Sequence, residues 1–390
     1  MTAPDTAATT DSLVVRTIEP AEHLAFLTTQ RSASFLQLPA WGEVKSDWRR
    51  ESIGWHRSGE LVGVGLVLYR RLPKVKRYLA YLPEGPVIDW DADHLSDWLG
   101  PMTRHLASQG AFGIRMGPPV IYRHWDAAAV KGGVADERVR RLDDVPPTLR
   151  EPRGARVCQT LREQGWRLQS VEGGFAAGQP QYNFQIPLRA ADGSARTEDD
   201  VLKGMNQQWR RNIKKAAKEG VVTGRVPADT LEQELKRFHD LYVHTAERDH
   251  FTPRPLTYFT TMFRSLLAED PDRIALFTAE HEGDLVASTI LIQVGGHVWY
   301  SYGASSTEKR EVRGSNAVQA EMIRHSLAHE ADVYDLRGIT DTLDPDDSHV
   351  GLIQFKVGTG GEAVEYVGEW DLPVNRLLYK AFSLYMARRG

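Results

Sequence analysis

Cysteine is almost absent from this chain. Cys158 is its single cysteine, which excludes an internal disulfide framework and any cysteine-based zinc cluster and agrees with a reducing compartment. Cys158 lies in Arg-Val-Cys-Gln-Thr-Leu-Arg-Glu-Gln-Gly, on a short helical pattern beside Leu161, and is expected to be buried. No apolar run approaches the roughly 18 residues of a membrane span. An excess of positive charge is also missing: 48 Lys and Arg face 52 Asp and Glu, for a net charge of −4. A dedicated nucleic-acid-binding domain is normally clearly basic, so any RNA contact must use a local patch. The 13 histidines show no metal-ligand spacing. Met1 to Asp11 is rich in Thr and Ala and has no basic stretch followed by an apolar core, so it reads as a disordered leader, and the cytoplasm is the expected location.

What remains is a soluble globular composition, 41% hydrophobic and 26% charged over 390 residues, long enough for two hydrophobic cores. Two distant segments share a signature. Ser58-Gly-Glu-Leu-Val-Gly-Val-Gly-Leu-Val-Leu68 and Glu282-Gly-Asp-Leu-Val-Ala-Ser-Thr-Ile-Leu-Ile292 each place a Gly-acid turn before a β-rich apolar strand. Aromatic strand material follows both, at Tyr78–Leu82 and Val298–Tyr302. Helical patterns precede them, at Pro39–Trp48 for the first and at Thr230–Arg248 and Leu256–Ala268 for the second. A further helix follows each, at Ala92–Ser108 and Ser315–Ala328. Helix, antiparallel strands, helix and strand, met twice, is the order of an acetyltransferase-like α/β unit. The expected division is a first unit of 12–160 plus 368–390 and a second of 161–367. Arg123–Arg153, with its Gly, Pro and charged residues, reads as an insertion or linker, and Asn375–Arg389 as an amphipathic helix.

The sharpest physical signal is a basic helix over Leu202–Gly220. At about 100° per residue, Leu202, Met205, Trp209, Ile213 and Ala216 share one face, while Arg211, Lys214, Lys215 and Lys218 share the opposite one. Such a stripe is either a solvated face or an anion site suited to a diphosphate or an RNA backbone.

Most of the chain, from about Phe35 to Tyr379, resembles the FemABX family of aminoacyl transferases. The resemblance is carried by Leu36-Gln-Leu-Pro-Ala-Trp-Gly-Glu-Val-Lys45, Tyr81-Leu-Pro-Glu-Gly-Pro-Val87, Trp209-Arg-Arg-Asn-Ile-Lys-Lys-Ala216, Ser301-Tyr-Gly-Ala-Ser305, Tyr334-Asp-Leu-Arg-Gly-Ile339 and Gly351-Leu-Ile-Gln-Phe-Lys-Val-Gly-Thr-Gly-Gly-Glu362, in that order. It implies an α/β fold of two tandem acetyltransferase-like domains with mixed, mainly antiparallel sheets. No extended heptad pattern occurs, so the chain is similar to the shorter, FemX-like form without a long helical hairpin. The implied activity takes an amino acid from an aminoacyl-tRNA, without a separate cofactor, and joins it to the stem-peptide amine of a peptidoglycan precursor, either UDP-MurNAc-pentapeptide or lipid II, with a peripheral membrane contact compatible with the latter.

By position, the resemblance implies that Lys45 and Arg211 hold the diphosphate of the acceptor, assisted by Arg210 and Lys215, and that Phe112 and Tyr302 are aromatic substrate contacts. Lys and Arg suit phosphate oxygens. It also implies that Phe355 and Lys356 lie at the acyl-transfer centre, where Lys356 stabilises the developing oxyanion or holds the tRNA 3′ end. Where family members carry an acidic residue before a strand-ending proline, this chain has Gly117-Pro118. Asp335, Asp341 and Glu369 are the remaining carboxylate candidates for a base. Two alternatives stay open: a tRNA-dependent transferase with a small-molecule acceptor, and an acyl-CoA-dependent N-acyltransferase. The second is weakened because Arg310-Glu-Val-Arg-Gly-Ser-Asn-Ala317 carries Arg313 where a pyrophosphate loop has its first glycine.

Overall fold

The computed structural model describes residues 12–73, 75–169, 178–347 and 350–387; the leader, residues 1–11, lies outside them. The chain opens with β1 (Val14–Thr17), α1 (Pro20–Thr28), α2 (Pro39–Val44), the hairpin β2 (Arg49–Arg57) and β3 (Glu60–Arg71), then β4 (Tyr78–Leu82), α3 (Leu95–Ser108) and β5 (Ala111–Met116). A crossing segment follows: β6 (Ile121–Asp126), α4 (Ala127–Ala135), β7 (Leu149–Arg150), α5 (Pro152–Glu163), β8 (Arg167–Leu168) and β9 (Tyr182–Pro187). The second unit contains α6 (Glu198–Gly204), α7 (Gln207–Lys218), β10 (Val222–Arg225), α8 (Leu231–Asp249), α9 (Leu256–Glu269), the hairpin β11 (Ile274–His281) and β12 (Asp284–Val294), β13 (His297–Ser305), α10 (Gly314–Ala328) and β14 (Val333–Ile339). The chain closes with α11 (Val350–Val357), β15 (Glu362–Tyr366), β16 (Trp370–Pro373) and α12 (Arg376–Ala387).

The duplication is visible in the pairing. In the first sheet β1 to β5 are consecutive neighbours, and in the second β10 to β14 repeat that order. In both units the fourth and last of the shared strands, β4 with β5 and β13 with β14, run parallel across a helix. Both hairpin turns use two left-handed residues, Ser58 (φ 50°) with Gly59 (φ 88°) and Glu282 (φ 53°) with Gly283 (φ 85°). Glycine at the second position accepts that conformation without a Cβ clash, and the turn matches the twist of the strands it joins. The chain thus forms two tandem acetyltransferase-like α/β units with mixed sheets, and no long helical hairpin is present among the described residues.

The expected boundaries need correction. Beyond β14 the second sheet continues through β9, β15, β6 and β7, so 121–126 and 149–150, assigned above to the first unit, belong to the second sheet. Conversely β8, at 167–168, joins the first sheet beside β16. The segment read as a linker is built into this layer because Trp125 is fully buried in the second core, with Val130 and Leu142. Its charged residues are cross-strand partners: Arg123 pairs with Glu365, and His124 Nδ1 lies 3.3 Å from Glu362 of β15. The basic helix is also two helices, divided at Met205 and Asn206. The Asn206 side chain accepts the Trp209 N–H at 2.8 Å and so starts α7 as an N-cap. Cys158 is buried, as expected.

The units share a core in which Phe35, Leu36 and Trp41 pack with Phe238, Phe259 and Trp299. Polar ties reinforce it. Arg31 Nε donates to Asp332 at 2.6 Å, and the Ala40 N–H at the start of α2 donates to Glu269 Oε1 at 2.7 Å. Glu269 therefore pins the helix that leads into Lys45. Glu269→Ala leaves a helix-terminal N–H unpaired and is expected to lower stability by about 1–3 kcal/mol in urea unfolding, with Glu269→Gln recovering most of the loss. Equal midpoints for Glu269→Ala and the parent would show that the tie carries no weight.

Candidate active site

A cavity of about 300 Å³ lies between the two sheets, and its lining includes Ser34, Glu84, Gly117, Asp335, Arg337 and Glu369. Its far wall is shaped by an irregularity in β14. The pairing with β9 shifts register between Asp335 and Gly338, and Arg337 takes a left-handed conformation (φ 62°). This turns the Arg337 guanidinium toward the first unit, where Nη1 meets Glu84 Oε1 at 2.9 Å and Nη2 donates to Gln179 at 3.0 Å. Ser34 donates to the other Glu84 oxygen at 2.6 Å.

The carboxylates here differ in character. Asp335 is 2% exposed. Burial pushes its carboxyl up, but His297, the Arg337 charge and the Arg337 N–H together hold it below the usual carboxylate range. Gln185 adds a bond at 2.9 Å, so Asp335 is a saturated structural anion. Asp341 pairs loosely with Arg141 at 3.5 Å outside this cavity. Glu369 is the opposite case: burial raises it above the usual range, opposed in part by the Tyr81 hydroxyl, which donates to Oε1 at 2.5 Å. A Cβ built on Gly117 would meet Glu369 Cγ at 3.4 Å. The carboxylate missing at position 117 has a neighbour from a different part of the chain in its place.

Lys356 sits behind this wall. It lies on α11, preceding the Gly358 turn, and is 4% exposed. Its ammonium donates to the carbonyls of Gly338 at 2.7 Å and Arg337 at 3.2 Å. Burial first, and the Arg337 charge second, lower its pKa to about 7, against the pull of Asp335. Phe355 turns its ring onto Trp209, with centroids 4.8 Å apart, and its carbonyl accepts the Trp209 indole N–H at 2.9 Å.

A second cluster forms where α2 meets α9. The Lys45 ammonium lies 5.3 Å from the Trp41 ring centroid and 5.4 Å from that of Tyr258. Tyr258 shares a hydroxyl contact of 3.2 Å with Tyr302, so the structure brings Lys45 and Tyr302 into one cluster. The second cation there is Arg254, stacked 5.4 Å over Tyr258. Burial, followed by the Arg254 charge, lowers Lys45 to about 8. Neither cation takes part in an ion pair among the described residues, so this is a concentration of positive charge ringed by aromatic hydroxyls, suited to a phosphate-bearing ligand. The two clusters share a wall: Phe35 packs 5.1 Å from Trp41 and 5.5 Å from the Arg337 guanidinium.

The cation that the structure brings beside Lys45 is Arg254, and Arg211 lies on a different helix. Arg211 is exposed on α7, a helix that packs on α10 through Asn212 and Asn316 at 3.2 Å and on α11 through Trp209, whereas Lys45 belongs to the α2–α9 contact. Arg210 is consumed structurally, donating to the carbonyls of Lys203, at 3.1 Å, and Met205 at the end of α6. Lys215 is half-buried on α7. Phe112 is fully buried, with its ring 5.4 Å from Phe382 of α12, so it packs the last helix onto the first sheet and is closed to substrate. Sequence reading missed Arg254 although a signal exists: Thr252-Pro253-Arg254-Pro255 holds an arginine between two prolines just before a helix. Glu84 and Arg337 lie inside quoted motifs but had been given no role.

Among the described residues no group of three or more His, Cys, Asp or Glu side chains is placed to hold a metal, and no helix is long and apolar enough to cross a membrane. Lipid II:glycine glycyltransferase from Staphylococcus epidermidis strain RP62A is 23% identical over 421 residues, covering 92% of both chains. The protein of the same description from Staphylococcus aureus strain MRSA252 is 23% identical over 428 residues, again covering 92% of each. The crystal structure of FemX superposes with a TM-score of 0.76 at 22% identity, covering 94% of this chain and 99% of that one, so the fold is shared over that span. The FemAB family model matches residues 18–269 and 269–386, nearly the whole length of the sequence, and the chain belongs to the FemAB family.

Proposed function

We propose that this protein transfers an amino acid from an aminoacyl-tRNA to the stem-peptide amine of a peptidoglycan precursor, in the step that builds an interpeptide bridge. The observation that carries this reading is the juxtaposition of an unneutralised Lys45–Arg254 pair with a cavity holding a raised carboxylate, Glu369. The first suits the diphosphate of a lipid-linked or nucleotide-linked acceptor, and the second suits its amine. The similarity to lipid II:glycine glycyltransferases supports lipid II as the acceptor carrier, and an acceptor of that kind calls for a peripheral contact with the cytoplasmic face of a membrane. No cofactor is required beyond the aminoacyl-tRNA.

In the proposed mechanism Glu369 receives the proton of the incoming ammonium, a task for which a raised pKa is an advantage. The neutral amine attacks the ester carbonyl that joins the amino acid to the tRNA ribose. Negative charge develops on the carbonyl oxygen, and the Lys356 ammonium, buried where it is weakly screened, stabilises it. Collapse of the intermediate breaks the ester C–O bond and forms the peptide bond, the surplus proton on the attacking nitrogen passes to the departing ribose oxygen, and Glu369 releases the proton it took to solvent. Glu369→Gln is expected to lower kcat by about 10²–10⁴-fold, the range of lost acid–base assistance, with little change in melting temperature. A turnover equal to the parent's would make Glu369 a packing residue.

The overall test offers a pool of radiolabelled aminoacyl-tRNAs, with acetyl-CoA as a parallel donor, to lipid II, UDP-linked pentapeptide and a panel of small amines. Label on the muropeptide that is lost when the donor is first treated with ribonuclease supports the reading. Transfer from acetyl-CoA alone, or to a small amine alone, rejects it and leaves the fold assignment intact.

A further inference from the structure

The α7 stripe is not absorbed by the site described above. Arg211, Lys214 and Lys218 are exposed, and no residue of α7 forms an ion pair among the described residues. The helix contains no acidic side chain at all, although acids outnumber bases over the whole chain. From Arg211 to Lys218 the stripe runs about 10 Å along the helix axis. The opposite face is fully committed, with Trp209 3% and Ala216 0% exposed and Ile213 packed on the second core. Two bonds then bracket Lys356. Trp209 donates to the Phe355 carbonyl at 2.9 Å, and the Asn206 N–H donates to the Gly358 carbonyl at 2.9 Å. The fit is tight, since a Cβ on Gly358 would come within 2.4 Å of Trp209 Cδ1. A chain of phosphates laid along α7 would therefore be held in fixed register with Lys356.

We infer that the exposed Arg211, Lys214 and Lys218 face of α7 is a docking surface for the sugar–phosphate backbone of the donor RNA, and that its attachment to α11 aligns the aminoacyl end with Lys356. The inference rests on the tRNA-dependent reading of the site. Three cations that form no ion pair among the described residues gain most from a ligand that releases its own condensed counter-ions, which is the property of a nucleic-acid backbone. An anionic membrane surface is the rival partner. A helix that lies in a membrane interface presents apolar side chains between its cations, whereas the large apolar residues of α7 are turned inward and its exposed positions are Gln207, Gln208, Ala217 and the cations.

The test compares the parent with the triple variant Arg211→Gln, Lys214→Gln, Lys218→Gln. Binding of deacylated tRNA is measured at several salt concentrations, together with the KM for aminoacyl-tRNA, the KM for the acceptor, and binding to vesicles of phosphatidylglycerol. The expected result is tRNA binding weakened about tenfold or more, with a log–log salt slope shallower by about two, as befits three lost phosphate contacts on a single strand. The donor KM should rise in step while the acceptor KM and melting temperature stay put. Unchanged tRNA affinity and donor KM, in a protein that still uses aminoacyl-tRNA, would overturn this inference alone. Lost vesicle binding with intact tRNA binding would overturn it in favour of a membrane contact. A parent protein that neither binds tRNA nor accepts aminoacyl groups from it would remove the tRNA-dependent reading itself and this inference with it.

Discussion

Lys356→Met is expected to abolish most transfer, by about 10²–10³-fold in kcat, the cost of removing one stabilising group from an oxyanion site. Melting temperature should move by a few degrees at most. Methionine has a similar volume, and exchanging a buried charge for a thioether offsets the loss of the bonds to the Arg337 and Gly338 carbonyls. The pH profile discriminates between roles. With a pKa of about 7, Lys356 is an ammonium below that pH and a neutral amine above it. If the positive charge does the work, activity falls as pH rises through about 7, and Lys356→Arg, which stays charged, displaces that limb upward. Activity that instead rises through pH 7 would identify a neutral lysine base and reject the electrostatic role. The other limb of the bell belongs to Glu369, whose raised pKa places it above the ordinary carboxylate range.

Arg254→Ala should raise the acceptor KM by about 10–100-fold while slowing the saturated rate far less, because a charge-assisted hydrogen bond contributes about 1.5–3 kcal/mol. Arg211→Ala should leave the acceptor KM where it was. The contrast follows from position: Arg254 stacks on Tyr258 beside Lys45, whereas Arg211 lies on α7. A pH signature accompanies it. Lys45, at about 8, keeps its charge below that pH and loses it above, so acceptor affinity should decline as pH rises through about 8. A bound diphosphate favours the charged form, so the decline shifts to higher pH at saturating acceptor. Equal acceptor KM values for the Arg254→Ala and parent enzymes would dismantle the proposed diphosphate site.

Much of the architecture was legible because it is written locally. The Ser58-Gly59 and Glu282-Gly283 turns, the strands that follow them and the helices α8, α9 and α10 depend on residues close in sequence, and all were found near their expected positions. Lys45 and Tyr302 were each legible through motif resemblance, Lys45 beside Arg211 and Tyr302 beside Phe112, and only the structure joins the two through Tyr258. The readings that failed share one cause. Arg123 looked like linker charge until Glu365, 242 residues away, appeared as its partner, and Phe112 looked like a substrate contact until α12 covered it. Asn206 could have been read as a helix cap, but the continuous apolar stripe hid the break.

By itself the sequence determined the repeated unit, the absence of disulfides, the amphipathic stripe of α7 and the order of motifs along the chain, since turn conformation, side-chain period and composition act over a few residues. Tertiary structure alone decided which charges face each other. Glu84 meets Arg337 across 253 positions and Tyr81 meets Glu369 across 288. The desolvation that lowers Lys356 and raises Glu369 exists only once both sheets have closed around them, because burial, and not residue identity, sets that cost.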